Sequence, residues 1–94
     1  IDSKTAATVT EYMANNVTET YGTKRFPNME LCAKSGTAER ENGPADAMFA
    51  GFVEDEQYPL AFIVVVENGG YGAAACVPIL SVVLSECKAV MDAF

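Results

Sequence analysis

The sequence predicts an α+β fold, a three-stranded antiparallel meander flanked by an N-terminal and a C-terminal helix. Three observations predict it. Apolar residues recur at helical spacing at both ends of the chain, and three short apolar runs separated by turn formers lie between them. The length of 94 residues, half of them apolar, suits one domain with a single modest core.

The first helix is read from about Thr5 to Tyr21, where Val9, Tyr12, Met13, Val17 and Tyr21 fall along one stripe. Asp2 or Ser3 can cap its start and Gly22 is placed to end it. A polar connection through Pro27 leads to a strand-like run, Met29–Ala33. The turn formers of residues 41–46 separate it from a second strand, Met48–Val53. An acidic turn over residues 54–59 reverses the chain into a third strand, Leu60–Val66. Residues 67–72 (Glu-Asn-Gly-Gly-Tyr-Gly) read as a loop; neither their spacing nor a following lysine matches a phosphate-binding fingerprint. The last helix is read from about Ala74 to Met91, with Pro78 in its first turn and Leu80, Val83, Leu84, Cys87, Val90 and Met91 as its buried stripe. Both helices are expected to cover one face of the sheet.

Leu60–Val66 does not suit a self-contained meander. It would be an edge strand, yet it carries no charge or proline, and both of its alternating faces are apolar. Strands covered on both sides read this way. The sequence therefore asks for more strands beside it and more protein over its second face, and the opening Ile1 in place of Met agrees with a piece of something longer.

Charge and composition narrow the chemistry. Six basic residues against 13 acidic ones give a net charge of −7, which argues against a nucleic-acid or anionic-membrane surface. There is no histidine, so Ser-His-Asp and Cys-His catalysis and histidine-ligated zinc are excluded for these residues alone. Cys32, Cys76 and Cys87 have no metal-like spacing and read as small buried thiols; no metal and no cofactor is expected. No run approaches the roughly 20 apolar residues of a membrane span, and the N-terminus lacks a signal peptide's pattern. Asn16-Val17-Thr18 matches a glycosylation acceptor in form but falls inside a helix.

The dense polar cluster in an apolar strand context is Lys34-Ser35-Gly36-Thr37-Ala38-Glu39. Its residue types suit anion handling. Lys34 supplies a fixed positive charge, Ser35 and Thr37 supply hydroxyl donors, and Gly36 allows close approach to the backbone. In a strand, Lys34, Gly36 and Ala38 project to one face and Ser35 and Thr37 to the other.

The ordered runs Cys32–Glu39, Ala47–Phe52, Ala61–Gly70 and Ala74–Ile79 together resemble the C-terminal part of penicillin-binding proteins, the serine D,D-transpeptidases of bacterial cell-wall synthesis. The resemblance spans about Leu31 to Leu84, and Lys34, Ser35 and Gly36 match the family's Lys-[Thr/Ser]-Gly signature. It implies that the meander is part of the larger sheet of a transpeptidase (β-lactamase-like) domain, with residues 1–94 a C-terminal fragment of it. Lys34 would then support the site electrostatically. Ser35 and Thr37 would hydrogen-bond the carboxylate of a peptidoglycan stem peptide or β-lactam, and Gly36 would let it approach. The Ala38 N–H would form half of an oxyanion hole. The free strand edge would pair with an extended substrate.

Two parts of that machinery are missing. No Ser-x-Asn occurs, and the Ser-x-x-Lys pattern at Ser85–Lys88 follows the Lys-Ser-Gly strand, whereas the family's nucleophile precedes it. The expectation is an enzyme in the intact protein, extracytoplasmic and membrane-anchored by resemblance, and an inert fragment whose partner is the missing N-terminal part of the same domain. Two other readings stand beside it: a β-lactam receptor or β-lactamase-like domain on the same fold, and a free-standing interaction module that recruits a strand partner. Self-association through the 60–66 edge is expected of the fragment.

Overall fold

The computed structural model describes residues 1–22, 26, 27 and 29–94. Helix α1 spans Ser3–Asn16, and Asp2 caps it by accepting from the N–H groups of Lys4 and Thr5 at 2.8 and 3.1 Å. The expected helical stretch continues to Tyr21, but its last part, Val17–Tyr21, is a π-helical turn. Gly22 closes that turn, its N–H bonded to the Val17 carbonyl at 2.8 Å and its φ of 88° leaving the helical region. The expected polar connection after it falls partly on residues 23–25 and 28, outside the described residues.

Strands β1 (Leu31–Ala38), β2 (Asp46–Val53) and β3 (Ala61–Val66) form an antiparallel sheet in the order β1-β2-β3. The meander is as expected, but β1 starts later and runs five residues past Ala33, so Lys34–Ala38 lies inside the ladder, paired with residues 46–50 of β2. The β1–β2 turn is tied down by charge. Arg40 pairs with Asp46 at 3.3 Å and donates to Asn68 Oδ1 at 3.1 Å, while the Asn68 N–H donates to Asp46 at 3.0 Å. This joins the motif end of the hairpin to the β3–α2 loop.

Helix α2 spans Gly72–Asp92. It begins two residues before the expected start, so Pro78 is its seventh residue rather than a first-turn one, and the Ala74 carbonyl lacks a helical N–H donor there. Its far end is pinned to the β2–β3 turn by Tyr58, whose hydroxyl donates to Asp92 at 2.5 Å and whose ring lies 5.3 Å from the Lys88 ammonium; within the helix Lys88 pairs with Asp92 at 2.7 Å.

Both helices cover one face of the sheet, as the pattern predicted. The core joins Val17 and Tyr21 to Leu31, Ala33, Ala47, Phe49 and Val53 of the strands and to Cys76, Val77, Leu80 and Leu84 of α2. Phe49 is its centre, fully buried, with Tyr21 edge-on at 4.8 Å and Phe62 stacked at 6.3 Å. Gly51 is required here: a Cβ would lie 2.0 Å from the Cys32 carbonyl oxygen and 2.9 Å from the Phe62 ring.

Two of the expected stripes are only partly buried. On α1, Val9 and Tyr12 stay exposed, because the helix is anchored through its end, where Asn16, Val17 and Tyr21 meet β1 and the core. On α2, Val83 and Val90 are exposed, and the buried side is set by Cys76, Val77, Leu80 and Leu84. A further correction concerns α2 itself. With 21 residues and a mean hydropathy of 1.7 over its most apolar window, it is long and apolar enough to cross a membrane by length and composition. In this fold it serves as the helix that closes the core.

Candidate functional site

The sheet's second face carries Cys32, Lys34, Gly36 and Ala38 of β1, Met48, Ala50 and Phe52 of β2, and Ala61, Ile63 and Val65 of β3. Ile63 is 64% exposed and Val65 52%. Strand alternation therefore divides the motif. Lys34 stands on the open face, exposed, with its Nζ donating to the Ser35 carbonyl at 2.7 Å. Ser35 and Thr37 turn to the helix-covered side, where each hydroxyl has a donor behind it. The Tyr21 hydroxyl donates to Ser35 Oγ at 3.0 Å, and the Gly72 N–H donates to Thr37 Oγ1 at 3.4 Å.

That second bond also caps α2. The helix has no side-chain cap at Tyr71, and one of the N–H groups left over at its start finds Thr37 instead. The positive end of the α2 dipole thus abuts the motif, and no acidic residue lies in the first turn. Close packing makes this contact feasible: a Cβ on Gly72 would lie 2.5 Å from both the Gly36 and the Met48 carbonyl oxygens.

The outer edge of β1 is partly occupied. Asn16 Nδ2 donates to the Ala33 carbonyl at 3.0 Å, and the Ser35 N–H donates to the Tyr21 hydroxyl at 2.9 Å. The N–H and C=O of one strand residue point the same way and those of its neighbours the opposite way. Ala33 and Ser35 face outward, so Thr37 does too. The Ala38 N–H points inward to β2, where Ala38 is paired with Asp46. The outward donor next to Gly36 is therefore that of Thr37, which corrects the expectation for Ala38. Sequence parity alone gives the alternation but not which set faces out; Asn16 and Tyr21 identify it.

The other chemistry considered in the sequence is placed elsewhere. Ser85 Oγ donates to the Ser81 carbonyl at 2.8 Å, and Lys88 is engaged with Asp92, so the Ser-x-x-Lys pattern holds no serine–lysine pair. The Asn16 side chain is committed to β1. Cys32 and Cys76 are buried and Cys87 is half-buried. Burial, together with the neighbouring Glu54 carboxylate, pushes the Cys32 thiol up to about 11, so it stays protonated at neutral pH. Burial raises the Cys76 thiol as well. Among the described residues no cluster of three or more histidine, cysteine or acidic side chains is placed to hold a metal. A cleft of about 730 Å³ between Val17, Phe26, Leu31 and the carboxylates of Glu30, Glu54 and Asp55 lies at the other end of β1, and none of residues 34–38 lines it.

Comparison with known families gives one match. The model of the penicillin binding protein transpeptidase domain matches residues 1–85, which include both faces of β1 and most of α2. A search of curated proteins returned no match, and neither did a search of solved structures.

Proposed function

This chain belongs to the penicillin-binding protein transpeptidase domain family, and from that premise we propose that β1 is the strand that receives the carboxylate of a peptidoglycan stem peptide or a β-lactam during acyl transfer. The observation that carries the reading is the arrangement of residues 34–38 within the matched region. On the open face Lys34 carries an exposed ammonium bonded, among the described residues, only to the Ser35 carbonyl, and on the other face stand two hydroxyls, Ser35 and Thr37, each backed by a hydrogen-bond donor. An anion there gains charge-assisted hydrogen bonds from the hydroxyls and long-range support from Lys34 and the α2 N-terminus. Gly36 leaves the backbone open to close approach. The outward N–H of Thr37 is available to an oxyanion or to an extended substrate chain.

The acylated serine and its Ser-x-Asn partner belong, on this reading, to another part of the same domain in the intact bacterial protein, which is extracytoplasmic and membrane-anchored. The 94 residues alone are then inert. The exposed Ile63 and Val65, with half-buried Met48 and Phe52 on the same face, give that part a surface to pack on, and in its absence they favour self-association along β3.

Labelled penicillin tests the reading. The full-length protein is expected to take up label covalently on a serine, and the 94-residue chain to take up none. Stable acylation of a serine within the 94-residue chain, or a full-length protein that is never labelled, would overturn it.

A further inference from the structure

Tyr21 lies outside the strand motif, 14 residues before Ser35, yet it makes two hydrogen bonds to that one residue. Its oxygen accepts the Ser35 N–H at 2.9 Å, and its own proton goes to Ser35 Oγ at 3.0 Å. The pair of bonds has a directional consequence. A serine oxygen that accepts from behind keeps its own proton for an acceptor in front, and hydrogen bonds in such a chain polarise one another. Thr37 is arranged alike, with Gly72 N–H as the donor behind it.

The phenol is well held. Tyr21 is 8% exposed, its ring sits edge-on to buried Phe49 at an interplanar angle of 71°, and it ends the π-helical turn closed by Gly22. Little side-chain freedom remains to be lost when a ligand arrives. The same hydroxyl occupies the strand's outward N–H at Ser35, as Asn16 occupies the carbonyl at Ala33, so the next free rung of the edge is Thr37.

We propose that Tyr21 is a positioning residue for the β1 anion site: its hydroxyl reserves the Ser35 proton for an incoming carboxylate and closes the strand edge at Ser35, so that an extended ligand pairs from Thr37 onward. The inference rests on the reading that residues 34–38 receive a carboxylate.

The test compares wild type, Tyr21→Phe, Ser35→Ala and the double variant in the full-length protein, with labelled penicillin as the probe. Non-covalent affinity is separated from the acylation rate constant. Tyr21→Phe keeps the ring and is expected to weaken pre-acylation binding about threefold to tenfold, the usual effect of losing one hydrogen bond. The loss should fall on binding more than on the acylation rate constant, and the thermal midpoint should drop by a few degrees because the Ser35 N–H loses its acceptor. Ser35→Ala should weaken binding similarly, and the double variant no more than either alone, since the two hydroxyls act as one unit. Ser35→Thr retains the hydroxyl and should retain both the affinity and its dependence on Tyr21. Binding unchanged in Tyr21→Phe, or losses that multiply in the double variant, would overturn the role of Tyr21 alone. A wild-type protein that binds no penicillin would overturn the carboxylate reading and this inference with it.

Discussion

The two faces of the sheet are built from the same three strands and differ in almost everything else. On the helix-covered face Ala33, Ala47 and Phe49 are wholly buried beneath Val17, Tyr21, Val77 and Leu80. On the other, Ile63 and Val65 keep more than half their surface exposed, and Lys34 stands free of any carboxylate partner among the described residues. The first face holds the chain together; the second leaves a charge and an apolar surface exposed. Because β1 alternates between them, its motif takes hydroxyls from the rigid side and an ammonium from the open side.

The largest way to break this contrast is at the centre of the covered face. Phe49→Ala should cost about 3–5 kcal/mol, against the roughly 5–15 kcal/mol that holds a small domain folded, and a denaturant or thermal melt will register it. Ile63→Ala on the open face should change the same melt by no more than about 0.5 kcal/mol. Equal losses at the two positions would mean that the open face is covered within this chain. Next in size is Gly72→Ala. A methyl 2.5 Å from two strand carbonyls must push the start of α2 off β1, for about 1–3 kcal/mol, and take the Gly72 N–H away from Thr37. Loss of stability with unchanged penicillin binding in the full-length protein would separate the helix start from the site.

How much of this was legible in the sequence follows from what each signal encodes. Period-two and helical patterns gave the meander, its order and the shared helix-covered face, because those depend on local alternation. The exposed Ile63 and Val65 were legible for the same reason: an edge strand apolar on both faces has no local explanation. Val83 and Val90, expected in the buried stripe of α2, are exposed, as are Val9 and Tyr12 on the stripe of α1, because periodicity marks an apolar stripe without saying whether anything lies against it. The motif residues were visible as types and spacing. Tyr21 was visible only as a core residue, since its pairing with Ser35 across 14 residues depends on the π-helical turn that ends the first helix.

Smaller effects sharpen the comparison further. Ile63→Lys should leave the melt nearly unchanged while reducing self-association of the 94-residue chain in sedimentation; undiminished association would place the contact elsewhere. Away from both faces, hydrogen bonds from Lys88 and then Tyr58 hold the Asp92 carboxyl below its usual range. A carboxyl lowered in the folded state stabilises fully above its unfolded value, about 4, and that contribution fades as pH falls through the folded value. Wild type should therefore lose a small increment of stability between neutral and acid pH that Asp92→Asn lacks, small because the pair is exposed. Least of all, a thiol reagent at neutral pH should modify half-buried Cys87 first and Cys32 last, as mass spectrometry of partially labelled protein will show.

The central claim is that β1 receives a carboxylate through Lys34, Ser35 and Thr37. The second-order rate of penicillin acylation in the full-length protein tests it most directly, measured for wild type, Lys34→Ala and Thr37→Val. Removing one charged or charge-assisted contact should lower that rate about tenfold to a hundredfold in each variant, with the thermal midpoint little changed in Lys34→Ala and lowered by a few degrees in Thr37→Val, which also loses the acceptor for the Gly72 N–H. Acylation at the wild-type rate in both variants would contradict it.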